Sequence, residues 1–332
     1  MTSSPAHLSP LVATEMKFNE RKGPLAEGRR LSCHAELLND VIIDVPPESQ
    51  VHRQIIRKDA EHRDIRLNTA TRLYFVTLPE STLEDARGEA KLLMTSLESE
   101  WGLTDLLIET SELVKLQVAL ASGDRGVTVA VFESTQIIGV WSGLFDAPRG
   151  VAVDVGSTTV AAHLCDLATG DVLSSASVMN PQIPFGEDLM SRVSYIMMHP
   201  EGAEAMSSAI QTALSKLFAE LTEQLGETTD NILEVSLVAN PIMHHLVLGI
   251  NPINLGGAPF ALTIDEAVTL KARDLSLDTH SQARLFVLPC IAGHVGADTA
   301  GVILAESPDS DEAMSLIAVS YTHLTLPTTR HV

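Results

Sequence analysis

The rhythm of apolar and polar positions changes character near residue 149. Val151, Val153 and Val155 alternate with Ala152 and Asp154, which predicts a strand, and Gly156-Ser157-Thr158-Thr159 turns the chain. The run "VAAHLCDL" returns, Thr169-Gly170-Asp171 turns again, and "VLSSASV" supplies a third strand. The prediction is a three-stranded meander. Beyond "NPQIPFGED" the period lengthens: Met206, Ile210, Ala213, Leu217, Leu221 and Leu225 recur at helical spacing within residues 201–226 and mark an amphipathic helix. A strand "LEVSLVA", a short helix "PIMHHLVLG", a strand "ARLFVLP" and a helix through "VGADTAGVILAE" follow. No segment repeats at a fixed period.

Upstream, residues 69–148 read as a small α/β unit. "RLYFVTL" is a strand, Ser81 and Glu84 form an S-x-x-E capping box opening a helix through "LEDARGEAKLLMTSL", and "VTVAVF" pairs with "QIIGVW" as a hairpin. This unit carries no catalytic constellation and is expected to pack or dock. Residues 49–68 mix both charge signs with few apolar positions and read as a linker. Residues 1–48 end in "RRLSCHAELLNDVIIDVPPES", where "DVIIDV" is a short strand closed by Pro46 and Pro47.

Composition narrows the function classes. The 332 residues are 45% hydrophobic, enough for sizeable cores. The 22 Lys+Arg against 43 Asp+Glu leave a net charge of −21, which disfavours sequence-independent binding to nucleic acid or anionic membrane. No apolar run reaches the roughly 18–20 residues of a membrane span, and the N-terminus lacks the charged and apolar regions of a signal peptide, so a cytoplasmic location is expected. Cys33, Cys165 and Cys290 are scattered, without a CxxC pair, and each reads as a small buried hydrophobe.

The hairpin at 151–165 concentrates the candidate chemistry. A tight turn of small residues turns backbone N–H groups outward beside hydroxyls, a concavity that suits phosphate oxygens without a lysine. Asp154, at the end of the first strand, could hold the Mg²⁺ that accompanies a nucleotide. An ordinary hairpin with a solvated acid explains the same residues. Gln182, after Asn180-Pro181, either orients a water near a γ-phosphate or satisfies its own loop backbone. Asp188 and Arg192, four apart on a helix, read as a surface pair or as a nucleotide contact. Asn240 either caps a helix or reaches the nucleotide, and Asp298 either caps its helix or faces the cleft. His244 and His245 are adjacent and cannot share one helix face, which argues against a metal pair.

Three segments together, "VAVDVGSTTVAAHLCDL", "VANPIMHHLVLG" and "IAGHVGADTAG", resemble the actin, hexokinase and acetate-kinase superfamily, whose two related domains clasp ATP between paired Asp-Gly-Thr hairpins. More specifically, "GVAVDVGSTTVAAHLCDLATGDVL", "NPQIPFGEDLMSRV", "NPIMHHLVLGINP" and "HVGADTAGVILA" resemble, in type and order, the reductive activators of corrinoid proteins. The resemblance covers about 149–316 and extends more loosely upstream. It implies an α/β fold: a ribonuclease-H-like, actin/hexokinase-type ATPase half-module at 149–316, preceded by a small α/β domain at 69–148, a linker at 49–68 and the remnant of a ferredoxin-like domain at 1–48. By the same resemblance Asp154 and Gln182 are catalytic, Asp154 holds Mg²⁺, and Gly156, Ser157, Thr158, Thr159, Asp188, Asn240 and Asp298 bind the nucleotide. ATP hydrolysis would then drive an electron onto cobalt(II) of a corrinoid protein of a methyltransferase system, restoring cobalt(I). The implied partner is that corrinoid protein, with neither nucleic acid nor membrane; a homodimer stays open.

The chain departs from the family pattern at both ends. A plant-type two-iron, two-sulfur cluster needs C-x₄-C-x₂-C and a distant fourth cysteine. Only Cys33, at the place of the last ligand, is present, so no cluster is expected in this chain. "AMSLIA" resembles the entry to a second phosphate hairpin, but the chain continues as "VSYTHLTLPTTRHV", an acid-free stretch expected to be a non-native tail at 317–332. The expectation is thus an incomplete activator, inactive alone. Two other readings stay open: a small-molecule kinase of the same superfamily, and a non-catalytic nucleotide-binding fragment.

Overall fold

A computed structural model of the chain describes residues 7–23, 30, 35–40, 67–80, 86–122 and 125–306. Cys33, the Ser81/Glu84 capping box, the strand expected within residues 40–45, nearly all of the linker and the expected tail at 317–332 lie outside the described residues. The chain divides into two compact units, Met1–Ile56 and Arg57–Val332.

In the first unit, α1 (Ala13–Lys22) was not legible from periodicity. Its first turn is closed by Glu15, whose carboxylate accepts from the Val12 N–H at 3.2 Å and pairs with Arg30 at 2.6 Å. Leu8 and Leu37 form an isolated antiparallel bridge.

The second unit contains two sheets. The smaller is built from β1 (Thr71–Thr77), β2 (Leu107–Ile108), β3 (Gly126–Phe132) and β4 (Gln136–Ser142), with α2 (Glu89–Trp101) and α3 (Thr110–Ala121) between β1 and β3 in the chain. Its order is β1-β3-β4-β2, and the predicted hairpin is β3-β4. Leu92, Leu93 and Leu97 of α2 and Leu116 and Leu120 of α3 pack on Val127, Val129, Val131 and Ile137. Of the helix expected through 83–97, α2 begins at Glu89; residues 86–88 before it are not helical, and Gly88 is its extended N-cap.

The larger sheet holds β5 (Arg149–Val155), β6 (Thr159–Asp166), β7 (Val172–Met179), β8 (Ile232–Ala239), β9 (Val268–Lys271) and β10 (Arg284–Val287). Three helices lie between them, α4 (Leu189–Met198), α5 (Gly202–Glu223) and α6 (Pro241–Val247), and α7 (Ala297–Glu306) follows β10. The order is β7-β6-β5-β8-β10-β9: the expected antiparallel meander, followed by β8 and β10 running parallel to β5. This is the ribonuclease-H-like arrangement, so the α/β half-module with a small α/β unit before it is present as expected. On one face Val151, Val153, Val155, Val235, Leu237 and Ala239 meet Met206, Ile210, Leu214, Leu217 and Leu221 of α5. The helix rotates slightly from the predicted stripe: Leu214 rather than Ala213 is fully buried, and Leu225 is exposed.

Two features weld this unit. Ala130, Ile138 and Leu233 form a small shared core between the sheets, flanked by Leu73, Phe132, Trp141 and Leu167. Around it Glu109 pairs with Lys271 and accepts from Gln282 at 2.9 Å, while Arg284 lies over the Phe132 ring at 5.6 Å and donates to Gln136. At the start of β5, Arg149 holds Glu227 with two parallel bonds of 2.9 and 2.7 Å and Asp166 with a third of 2.6 Å.

Candidate functional site

Alternation along a strand sends Val153 and Val155 into the core under α5, and therefore Ala152 and Asp154 to the opposite face. Asp154 is in register with Val238 of β8. Val238 lies under α7, where a Cβ on Gly301 would come within 2.9 Å of it. Asp154 thus shares its face with α7, whose second residue is Asp298. The site sits outside the carboxyl ends of parallel strands β5, β8 and β10, where open α/β sheets bind ligands.

The Asp154 carboxylate is reached by solvent on one side yet sits among closely packed protein. Burial, with a smaller contribution from the Asp298 carboxylate, pushes it up to about 6. Among the described residues it accepts no hydrogen bond, and no Lys or Arg pairs with either acid. Asp298 accepts from the Thr299 amide at 2.7 Å and remains half-buried. No group of three or more His, Cys, Asp or Glu able to hold a metal occurs among the described residues.

The turn itself is closed by Gly156 N–H to Thr159 O, 2.9 Å. A Cβ on Gly156 would stand 2.7 Å from that same oxygen, so only glycine fits. The Thr158 N–H and the Thr158 and Thr159 hydroxyls have no hydrogen-bond partner among the described residues and supply donors beside Asp154. Ser157 is buried.

Three residues read from the sequence as candidate contacts take other positions. Gln182, expected to be catalytic, is fully buried: its amide N–H₂ donates to Met206 O at 3.0 Å and its Oε1 accepts from Arg192 at 3.3 Å. An amide with both ends engaged inside the core has no group left to orient a water at the cleft. Asp188 is the N-cap of α4, accepting from the Ser191 N–H and hydroxyl at 2.8 Å each, which also holds its carboxyl below the usual range. Arg192 is not a surface partner of Asp188; it turns inward, fully buried, to donate to Ser157 O, to Gly186 O at 2.9 Å and toward Met243 Sδ at 3.2 Å. Sequence spacing could not separate these fates, because i,i+4 contiguity is silent about which way the second side chain turns.

Asn240 caps α6 through Met243 N–H, 3.0 Å, and stands at the mouth of the site. A Cβ on Gly296 would come within 2.7 Å of the Asn240 Cα, so the entry to α7 is pressed against the end of β8. His245 is committed to structure, with its ring between Pro241 O at 2.9 Å and the Thr263 N–H at 3.0 Å. His244 is fully buried with no well-formed hydrogen bond at either nitrogen, the backbone of Leu288 approaching only loosely; burial pushes it down to about 4. Cys165 and Cys290 are free thiols raised by burial, Cys290 to about 11, and neither is disposed to ligate a cluster. Two grooves, one of about 510 Å³ between β7 and α5 and one of about 460 Å³ where the sheets meet at Arg72 and Phe145, are lined by neither acid nor by the turn.

Comparisons with known proteins place the chain in a family. Residues 60–147 match the family model of the RACo linker region, and residues 149–310 that of the RACo middle region. The corrinoid activation enzyme RamQ of Eubacterium limosum is 34% identical over 151 residues, which is 46% of this chain and 26% of that protein. The solved structure of a reductive activator for corrinoid, iron-sulfur protein superposes with a TM-score of 0.68 at 24% identity, over 86% of this chain and 48% of its own. The chain therefore spans about a quarter of the curated relative and about half of the solved one. No described helix is long and apolar enough to cross a membrane.

Proposed function

The chain belongs to the RACo family of corrinoid reductive activators, and from that premise we propose that residues 149–316 bind Mg-ATP for the reductive activation of a corrinoid protein, cobalt(II) to cobalt(I), ahead of methyl transfer. The observation that carries the reading is the pair Asp154 and Asp298, two carboxylates without a cationic partner among the described residues, beside a turn of donors at the carboxyl ends of parallel strands.

The residues fit Mg²⁺ and phosphate. A hard divalent cation keeps most of its water and needs only one or two carboxylates from the protein, which is what Asp154 and Asp298 offer. Bound there, Mg²⁺ would offset the repulsion between the acids and the charge of the phosphate oxygens. Thr158 N–H and the two threonine hydroxyls would hold those oxygens, and Asp154 would orient water at the metal. The cysteines do not fit a two-iron, two-sulfur cluster: the sequence has three where four are needed, and of the described ones Cys165 is half-buried and Cys290 buried, each a lone free thiol. No electron-transfer step is therefore assigned to this chain's own residues. The net charge of −21 disfavours nucleic acid as a partner and leaves the corrinoid protein as the proposed one.

Thermal stability titrated with Mg-ATP tests the reading. Saturable stabilisation is expected, about 2.7 kcal/mol at a hundredfold excess over Kd, and it should vanish in Asp154→Ala. No stabilisation by Mg-ATP or Mg-ADP would overturn nucleotide binding by this chain. Acceptor-dependent ADP release with a phosphorylated product would favour the kinase reading instead.

A further inference from the structure

The turn that carries Thr158 is gripped from behind. Its three successive carbonyls each have a partner: Gly156 O accepts from the Asn180 side-chain amide at 2.7 Å, Ser157 O from the Arg192 guanidinium, and Thr158 O from the Asn180 backbone N–H at 2.8 Å. Asn180 and Arg192 are themselves buried and joined through Gln182, whose backbone N–H donates to Asn180 Oδ1 at 2.9 Å and whose Oε1 accepts from Arg192. The buried Met243 sulfur of α6 lies against both, 3.5 Å from Asn180 Nδ2 and 3.2 Å from Arg192 Nη1. Gly186 lets the loop close on α4, since a Cβ there would stand 2.7 Å from the Arg192 nitrogen.

We propose that Arg192 and Asn180 are positioning residues for the nucleotide: by holding the carbonyls of Gly156, Ser157 and Thr158 they fix the directions of the turn's N–H groups and of the Asp154 strand end. The inference rests on the nucleotide-binding reading above. Its physical basis is the planar trans peptide, in which the carbonyl of one residue and the N–H of the next point in opposite directions. Pinning three successive carbonyls therefore aims the amides of Ser157, Thr158 and Thr159 away from their braces. The Thr158 amide is set by the guanidinium on Ser157 O and points away from the helix-covered side. Donors fixed in advance cost no reorganisation when an anion arrives. A lysine cannot replace the brace, because one ammonium does not span Ser157 O, Gly186 O and Gln182 Oε1 as the planar fork does.

The test uses the full chain and the variants Arg192→Lys, Arg192→Met and Asn180→Ala, with hydrogen exchange followed without ligand and Mg-ATP affinity measured separately. In Arg192→Lys, exchange of the bonded amides of Gly156 and Asn180 should rise by about tenfold or more while the core of α5 stays protected, and Mg-ATP should bind about 10–100-fold more weakly. Should Arg192→Met not fold, Asn180→Ala reports on the other end of the same brace. Wild-type exchange and affinity in Arg192→Lys overturn the proposal, as does exchange that rises equally throughout the sheet, which makes Arg192 a general packing residue. A wild-type chain that does not bind Mg-ATP, with a hairpin loosened in Arg192→Lys, overturns the nucleotide reading and leaves the brace standing.

Discussion

Asp154, near the end of β5, and Asp298, in the first turn of α7, share one face of the sheet, close enough that the Asp298 charge adds to burial in raising the Asp154 carboxyl to about 6. Two acids placed this way disfavour each other's charge, and the fold keeps them together without a described cation between them. The arrangement costs stability, and a divalent ion held between the two carboxylates would relieve it.

That cost has a sign. The folded value lies above the ordinary 3.8, so the folded chain holds a proton that the unfolded chain has released between about pH 4 and 6. The associated stability is fully present below about pH 4 and is lost as pH rises through 6. Asp154→Asn should therefore melt higher than wild type at pH 7.5, by no more than about 2 °C because the carboxylate is solvent-reached, and no higher at pH 4. Scanning fluorimetry at both values checks this, and an Asn variant that melts lower at pH 7.5 contradicts it.

Gly156→Ala places a methyl 2.7 Å from Thr159 O, inside the bond that closes the turn. The expected loss is about 1–3 kcal/mol in urea unfolding, together with loss of any Mg-ATP stabilisation. Unchanged unfolding would mean that the turn relaxes at little cost.

Arg149 joins the start of β5 to the end of β6 and to Glu227 before β8. The three side chains are mostly buried, and Arg149→Met would leave two carboxylates without their partner. A destabilisation of about 2–4 kcal/mol is expected at pH 7. The held-down Glu227 carboxyl gives this contribution its pH range: it is present above the ordinary carboxylate value and disappears as the acid is protonated. Chemical denaturation of both forms at pH 7 and at pH 3.5 should show the difference shrinking at the lower value.

His244 and His280 are buried and pushed down to about 4 and 3, by burial first and then by His245 and Lys115 respectively. Both stay neutral in the folded chain while the unfolded chain takes up protons below about 6.5, so stability is present above that pH and is lost on acidification, by up to about 1.4 kcal/mol per pH unit for each ring. His244→Leu removes a ring with no well-formed hydrogen bond and should flatten the slope between pH 6.5 and 5 by about one proton while keeping stability at pH 7. Urea midpoints across that range decide it; an unchanged slope would mean that His244 does not titrate.

Much of the larger sheet was legible because its signal is local. The alternation of Val151, Val153 and Val155 and the helical period from Met206 to Leu221 each follow from one element burying one face. Four elements left no such signal: α1, α3 and the short β2 and β9, the strands held by pairing with β4 and β10 rather than by their own pattern. α2 opens at Glu89 behind an extended Gly88, a start that no side-chain pattern marks, and the Ser81/Glu84 motif lies outside the described residues.

The sequence by itself determined the meander, the parallel strands after it, and an acid and donors at one hairpin, because strand alternation and turn chemistry act over a few residues. Only the tertiary structure decided that Asp298 joins Asp154, that Gln182 is buried and that Arg192 supports the hairpin instead of pairing with Asp188 at the surface. Those outcomes depend on contacts between residues 10 to 144 positions apart, and side-chain direction across such distances is set by which face each helix buries, which no local pattern records.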